Sequence, residues 1–173
     1  MKHYLFALFS IFSIISGFSQ EVWQDFEFLI GNWQGVENGV AGEGIGYRTY
    51  TFELGAHYIM EKNQSTFPKS EKKPRGEVHR DIGIFSYNSN REEVVYRSFN
   101  IENFTNIFVW DTAESSAEKL VFVTREIENN PSNWVARLTI EKLSENEFKE
   151  LFEIAMDGSN FSAFLSNHWY RVQ

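Results

Sequence analysis

From Gly31 onward, apolar and polar residues alternate with a period of two along most of the chain. In 134–143, Trp134, Ala136, Leu138 and Ile140 alternate with Arg137, Thr139 and Glu141, the pattern of a strand with one face buried. In 147–156, Phe148, Phe152, Ile154 and Met156 share a face. The same reading gives strands over 31–37, 45–54, 58–66, 77–88, 92–102, 104–113, 119–128 and 162–172. Turn signals separate them, among them Asn38-Gly39, Pro74-Arg75-Gly76, Asn88-Ser89-Asn90, Asn129-Asn130-Pro131 and Asp157-Gly158. The stretch Phe26–Gly31, "FEFLIG", predicts a short helical turn leading into the first strand.

Evenly spaced strands with short connections predict an all-β fold, an antiparallel up-and-down meander of about ten strands closed into a barrel. Closure removes the exposed edges of the meander. A two-sheet sandwich is the alternative, but it normally needs longer Greek-key connections than these turns provide. No amphipathic segment is long enough for a βαβ crossover, which excludes a parallel α/β sheet. A barrel of this size has room for side chains and one small ligand.

Strands 92–113 break the one-sided rule. Val95, Arg97, Phe99 and Ile101 fall on one face, and Val94, Tyr96, Ser98 and Asn100 on the other. Asn106, Phe108 and Trp110 form a further mixed row. Polar groups among aromatics suit a wall that faces a cavity. Trp33, Phe99, Phe108 and Trp110 are therefore expected to supply apolar contact, and His79, Arg97, Asn106 and Tyr170 to orient a polar end. Arg97 is the expected partner of an acidic head group, since a guanidinium inside a barrel needs an anionic or carbonyl acceptor.

The amino terminus departs from the strand pattern. Lys2 precedes the mostly apolar run 4–15, and Gly17 and Ser19 occupy the small-residue positions of a cleavage site. Residues 1–19 read as an export signal and 20–173 as one barrel domain, and the run is too short for a membrane span. Cleavage would remove Lys2 alone among charged residues and move the net charge from −8 to −9. That balance argues against nucleic acid and anionic membrane as partners, because both need a basic surface. The chain has 0 Cys, so neither disulfides nor a lipid-bearing cysteine follow the signal. The expected location is periplasmic or secreted, without stable membrane insertion.

Candidate chemistry is sparse. Glu77, His79 and Asp81 share one face of a strand in "GEVHRDIGIFSYN". Such a trio could hold a metal, but a metal site wants ligands converging from several strands, and no His-x-His pair is present. The competing readings are a solvated face opposite Val78, Ile82 and Ile84, and a His at a pocket mouth. His168, on the last strand with Tyr170 on its face, is the other imidazole of interest, as an axial haem ligand. "GVAGEGIG" leads into a strand, not a helix N-terminus, so it reads as a hairpin loop and not a phosphate cradle. No nucleophile elbow or acid–base pair is apparent, so the chain is not expected to be an enzyme.

"FLIGNWQG" (Phe28–Gly35), a Gly-rich hairpin and "GEVHRDIGIFSYN" together resemble the calycin-like β-barrels related to nitrobindin, and a bacterial lipocalin-like family opening with Leu-x-Gly-x-Trp. The resemblance implies that Gly31-x-Trp33-x-Gly35 is the first-strand signature. It implies that His79 lies on the distal side of haem, with Asp81 in place of that family's Glu, and that His168 is the proximal candidate. The family's Tyr-Pro-x-Ile element is missing. The resulting expectation is a non-catalytic barrel for a small hydrophobic or amphipathic molecule. The alternatives are a haem barrel handling nitric oxide or peroxynitrite, and a structural barrel with a filled core.

Overall fold

Ten strands run in sequence order around a closed antiparallel barrel. They are β1 (Gly31–Gly39), β2 (Gly42–Glu53), β3 (Tyr58–Phe67), β4 (Glu77–Asn88), β5 (Glu93–Asn100), β6 (Thr105–Trp110), β7 (Lys119–Glu128), β8 (Val135–Ser144), β9 (Glu147–Ala155) and β10 (Ser162–Val172). Each pairs with its neighbour in sequence, and β10 closes on β1 through pairs such as Trp33 with Arg171 and Val36 with His168. The computed structural model describes residues 21–173 except 40–41, 72–73 and 131. The proposed export signal, residues 1–19, lies outside the described residues.

The predicted strands and the helical turn are present. The turn is a 3-10 helix over Gln24–Leu29. The Gly-rich stretch differs from the expected loop. β1 and β2 stay paired as far as Gly39 with Gly42, so most of "GVAGEGIG" belongs to strands. Its glycines there serve packing. Gly35 and Gly46 face each other across the β1–β2 ladder. A Cβ on either would fall 2.6 Å from the Trp169 indole, so the small residues make room for that ring.

One end of the barrel is closed. The 3-10 helix lays Phe26 and Leu29, both fully buried, into the barrel mouth. Phe26 meets Phe85, Trp110 and Phe122 at ring separations of 5.9, 5.1 and 6.1 Å. Trp33 packs edge-on against Phe148 at 4.6 Å. The segment is also tied by polar contacts. Trp33 Nε1 donates to the Leu29 carbonyl at 2.7 Å, and Arg171 donates to the carbonyls of Ile30 and Phe28, each at 2.7 Å. These bonds satisfy carbonyls at the end of a short helix that has few internal partners for them. Above this floor a column of stacked rings, Phe85 on Tyr96 and Tyr96 on Phe108, rises through the interior.

Candidate functional site

Strand parity decides which side chains face the interior; on β4 it is the polar face that holds His79, and on β5 it is the face opposite the expected Arg97 and Phe99. On β4 the polar ladder His79 and Asp81 faces in, while Val78 and Ile82 face out and are each 48 % exposed. On β5 the inward residues are Val94, Tyr96, Ser98 and Asn100. Arg97 therefore points outward, where its Nη1 donates to the Ser86 hydroxyl at 2.9 Å, and Phe99 is exposed beside it. The expected anionic partner for Arg97 inside the barrel is thereby lost.

The interior opposite the closed end holds two adjacent chambers. The outer one, about 390 Å³, is mainly apolar, walled by Phe104, Ile127, Trp134, Phe152, Ile154 and Phe164. The inner one, about 110 Å³, is mainly polar, with Glu37, Arg48, Glu61, Glu150 and Asn167 around it. His79, Asn100, Asn106, Phe152 and Leu165 border both.

Of the residues chosen from sequence, His79, Asn106 and Phe108 line this cavity. Trp33 and Trp110 belong to the closed end, Trp110 against Phe26 and Trp33 under the helix. Tyr170 is 48 % exposed on the outside of β10, stacked on His168. His168 alternates with the fully buried Trp169 and so also faces out, with Nε2 2.6 Å from Glu147 and Nδ1 3.3 Å from the Tyr170 hydroxyl. It is therefore not a haem ligand directed into the cavity. His57 lies in the exposed β2–β3 turn. The imidazole that does face the cavity, His79, has both ring nitrogens against carboxylates. Nε2 is 3.0 Å from Asp81 Oδ1, and Nδ1 is 2.9 Å from Glu102 Oε1 and 4.0 Å from Glu77 Oε1. These residues do not fit an axial ligand set for haem.

The floor of the inner chamber was missed in the sequence. Arg48 lies between Glu61, 3.2 Å from its Nε, and Glu150, which pairs with Nη1. Asn63 Oδ1 accepts from Arg48 Nε at 3.1 Å, and the Tyr50 hydroxyl from Nη1 at 3.2 Å. Tyr96 donates to Glu61 Oε2 at 2.6 Å, Ser65 to Glu37 Oε1 at 2.5 Å, and Asn167 Nδ2 to Glu150 Oε1 at 2.9 Å. Gly83 on β4 keeps this packing possible, because a Cβ there would lie 2.9 Å from both the Tyr96 hydroxyl and Glu61 Oε2.

Burial governs the electrostatics. It raises the Glu61 carboxyl to about 7, with Arg48 and the Tyr96 hydrogen bond working in the opposite direction. Burial likewise raises Glu37, and lifts Tyr50 and Tyr96 well above the usual phenol range. For Arg48, burial opposes the charge, but Glu150 and Glu61 outweigh it and hold the guanidinium ionised. His79 is raised by its contact with Asp81, then by Glu102, against the effect of burial. Carboxylates outnumber cations here, and two buried acceptors, Asn167 Oδ1 and Asp81 Oδ1, have no hydrogen-bond partner. The chamber therefore presents acceptors and negative charge to whatever enters it.

A sequence signal for these charges exists. Phe148-x-Glu150-x-Phe152 and Ile59-x-Glu61 each put a carboxylate on the same strand face as large apolar residues. A charge on an otherwise apolar face is either a register error or a buried ion.

No protein-family model and no curated protein sequence matches the chain. Among solved structures, the chain resembles Rv2717c from M. tuberculosis, with a TM-score of 0.62 and 16 % identity, over 87 % of this chain and 97 % of that one. Two others are a redesigned β-barrel, b11L5F_LGL, and EF1p2_mFAP2b bound to DFHBI. Each has a TM-score of 0.46 and 13 % identity; the shares covered are 85 % and 84 % of this chain, and 94 % and 95 % of theirs. At 16 % identity the first likeness supports a shared barrel fold and nothing about what the barrel holds.

Proposed function

We propose that this chain is a non-catalytic binding barrel for a small amphipathic molecule. Its apolar body lies in the outer chamber, and its polar, hydrogen-bond-donating end reaches the acidic floor. One observation carries the reading: an apolar chamber of about 390 Å³ adjoins a polar one of about 110 Å³, the two sharing five lining residues. Ligand sites combine mostly apolar walls with a few convergent polar groups in this way. The polar end differs from the sequence expectation. With Arg97 outside and Arg48 committed to Glu61 and Glu150, the floor favours an amine or other donor over a carboxylate.

The likeness of Gly31-x-Trp33-x-Gly35 to calycin-like and nitrobindin-related barrels is consistent with a ligand carrier. Haem chemistry is no part of the proposal, given the placement of His79 and His168. The run 4–15 supports export, so the ligand would be met outside the cytoplasm.

Titration of tag-free protein with n-decylamine, n-decanol and n-decanoate, followed by tryptophan fluorescence and melting temperature, tests the reading. Decylamine is expected to bind tightest and decanoate weakest. Leu165→Trp, which fills the junction of the chambers, is expected to weaken decylamine by at least about tenfold, or about 1.4 kcal/mol. Binding of none of the three, or binding indifferent to Leu165→Trp, would end the proposal.

A further inference from the structure

The geometry points to a mononuclear site for a first-row divalent transition metal at the cavity mouth, formed by Glu77 and His79 of β4 and Glu102 of the β5–β6 turn. The ligand atoms of these three side chains lie within 4.8 Å of one another. The companion that the sequence reading lacked comes from a different part of the chain, as a metal site requires.

Glu102 and His79 are already positioned. The turn presenting Glu102 is closed by Asn103 N–H donating to the Asn100 carbonyl at 2.9 Å and Asn100 N–H donating to the Phe104 carbonyl at 3.0 Å. It is pinned from outside by Asn129 Nδ2, which donates to the Asn103 carbonyl at 2.7 Å. Asp81 lies on the far side of His79, its buried Oδ1 in an ion-pair contact 3.0 Å from Nε2 and accepting no hydrogen bond. Asp81 Oδ2 in turn accepts from Asn63 at 3.3 Å. A carboxylate behind the ring holds the proton on Nε2 and turns the Nδ1 lone pair towards a metal. Nδ1 is the nitrogen that faces Glu102 and Glu77.

One imidazole nitrogen and two carboxylates suit Zn²⁺, Co²⁺ or Mn²⁺, since the imidazole counts against Mg²⁺ and Ca²⁺ and no thiolate is present for Cu⁺. Three protein ligands leave coordination positions open towards the outer chamber, where water or a ligand group can complete the sphere. The groups facing His79 are Glu77 and Asp81 on its own strand, Glu102 from the turn, Ser65 and Asn63 on β3, and Asn100 on β5.

Isothermal titration of tag-free, chelator-treated protein with ZnCl₂, and the visible spectrum with CoCl₂, provide the test. One equivalent is expected to bind. His79→Ala and Glu102→Gln are expected to abolish or strongly weaken binding, and Asp81→Asn to weaken it about 10–100-fold. His168→Ala is expected to leave it unchanged. Glu102 lies on an exposed turn, so Glu102→Gln keeps the test valid even if His79→Ala fails to fold. No stoichiometric binding to the parent protein, or binding that survives Glu102→Gln or disappears in His168→Ala, would overturn the site. These outcomes are separate from amine binding, which requires no metal.

Discussion

Arg48 and Glu61 set the pH response of the fold. Glu61 is 3 % exposed and titrates near 7, against 4.5 for an ordinary carboxyl. Between those values the folded chain holds a proton that the unfolded chain has released. Stability must therefore fall as pH rises through that window, by an amount on the order of 3 kcal/mol from this group. Glu37, also raised by burial, adds the same sign. So does His79, whose raised value means stability present in mild acid and lost as pH rises through its folded pKa. Two ion-paired carboxylates act oppositely at lower pH, because Glu93 and Glu145 are lowered by Arg125 and Lys142. Thermal melts are expected to give the highest melting temperature near pH 5, with a decline towards pH 8 that is much reduced in Glu61→Gln. A flat profile between pH 5 and 8 would contradict the assignment. Removing Arg48 tests the same cluster from the other side. Arg48→Met leaves Glu61 and Glu150 buried without their cation and is expected to cost about 3–5 kcal/mol in chemical denaturation at pH 8. The loss should be smaller at pH 5, where Glu61 can protonate.

At the scale of elements, the strands were legible and their faces only partly so. Alternation and turn residues located all ten strands, because period two and Gly/Asn/Pro turns are local properties. In β8 the faces were also correct, since Ala136, Leu138 and Ile140 fill the interior. In β5 they were not, and in β4 the sequence left both faces open, with His79 chosen for the cavity. There the barrel interior is polar, so the rule that apolar residues face in points the wrong way, and Val78, Ile82 and Phe99 end up exposed. Glu102 was out of reach for another reason. Its approach to His79 follows from the β4–β5 register, which pairs Asp81 with Asn100 and so brings the following turn to the level of His79. Register is a tertiary fact. The closing helix illustrates the opposite case. "FEFLIG" is short, has no side-chain cap and is weak by propensity, yet it is held by what it buries. Phe26→Ala is expected to destabilise the chain by about 3–5 kcal/mol, measured by urea unfolding, because it removes a fully buried ring that touches four others.

The whole molecule divides its labour along the barrel axis. The closed end carries the aromatic cluster and the helix, and the open end carries the cavity and the titratable groups at its mouth. A filled-core barrel and a ligand barrel predict different outcomes for mutations at the two ends. If the cavity exists for a ligand, the apo protein leaves apolar wall unpacked, and filling that space should stabilise the fold while removing its use. Leu165→Trp is therefore expected to raise stability by about 0.5–2 kcal/mol and to weaken decylamine. Phe26→Ala should show the converse. It lowers stability, yet under conditions where the variant remains folded it binds decylamine within a few-fold of the parent, because Phe26 lines neither chamber. Urea unfolding and fluorescence titration of the two variants side by side measure both quantities. Loss of stability and binding together in Leu165→Trp would mean that the open end is ordinary core, already packed, and that the barrel's use lies on its outer surface.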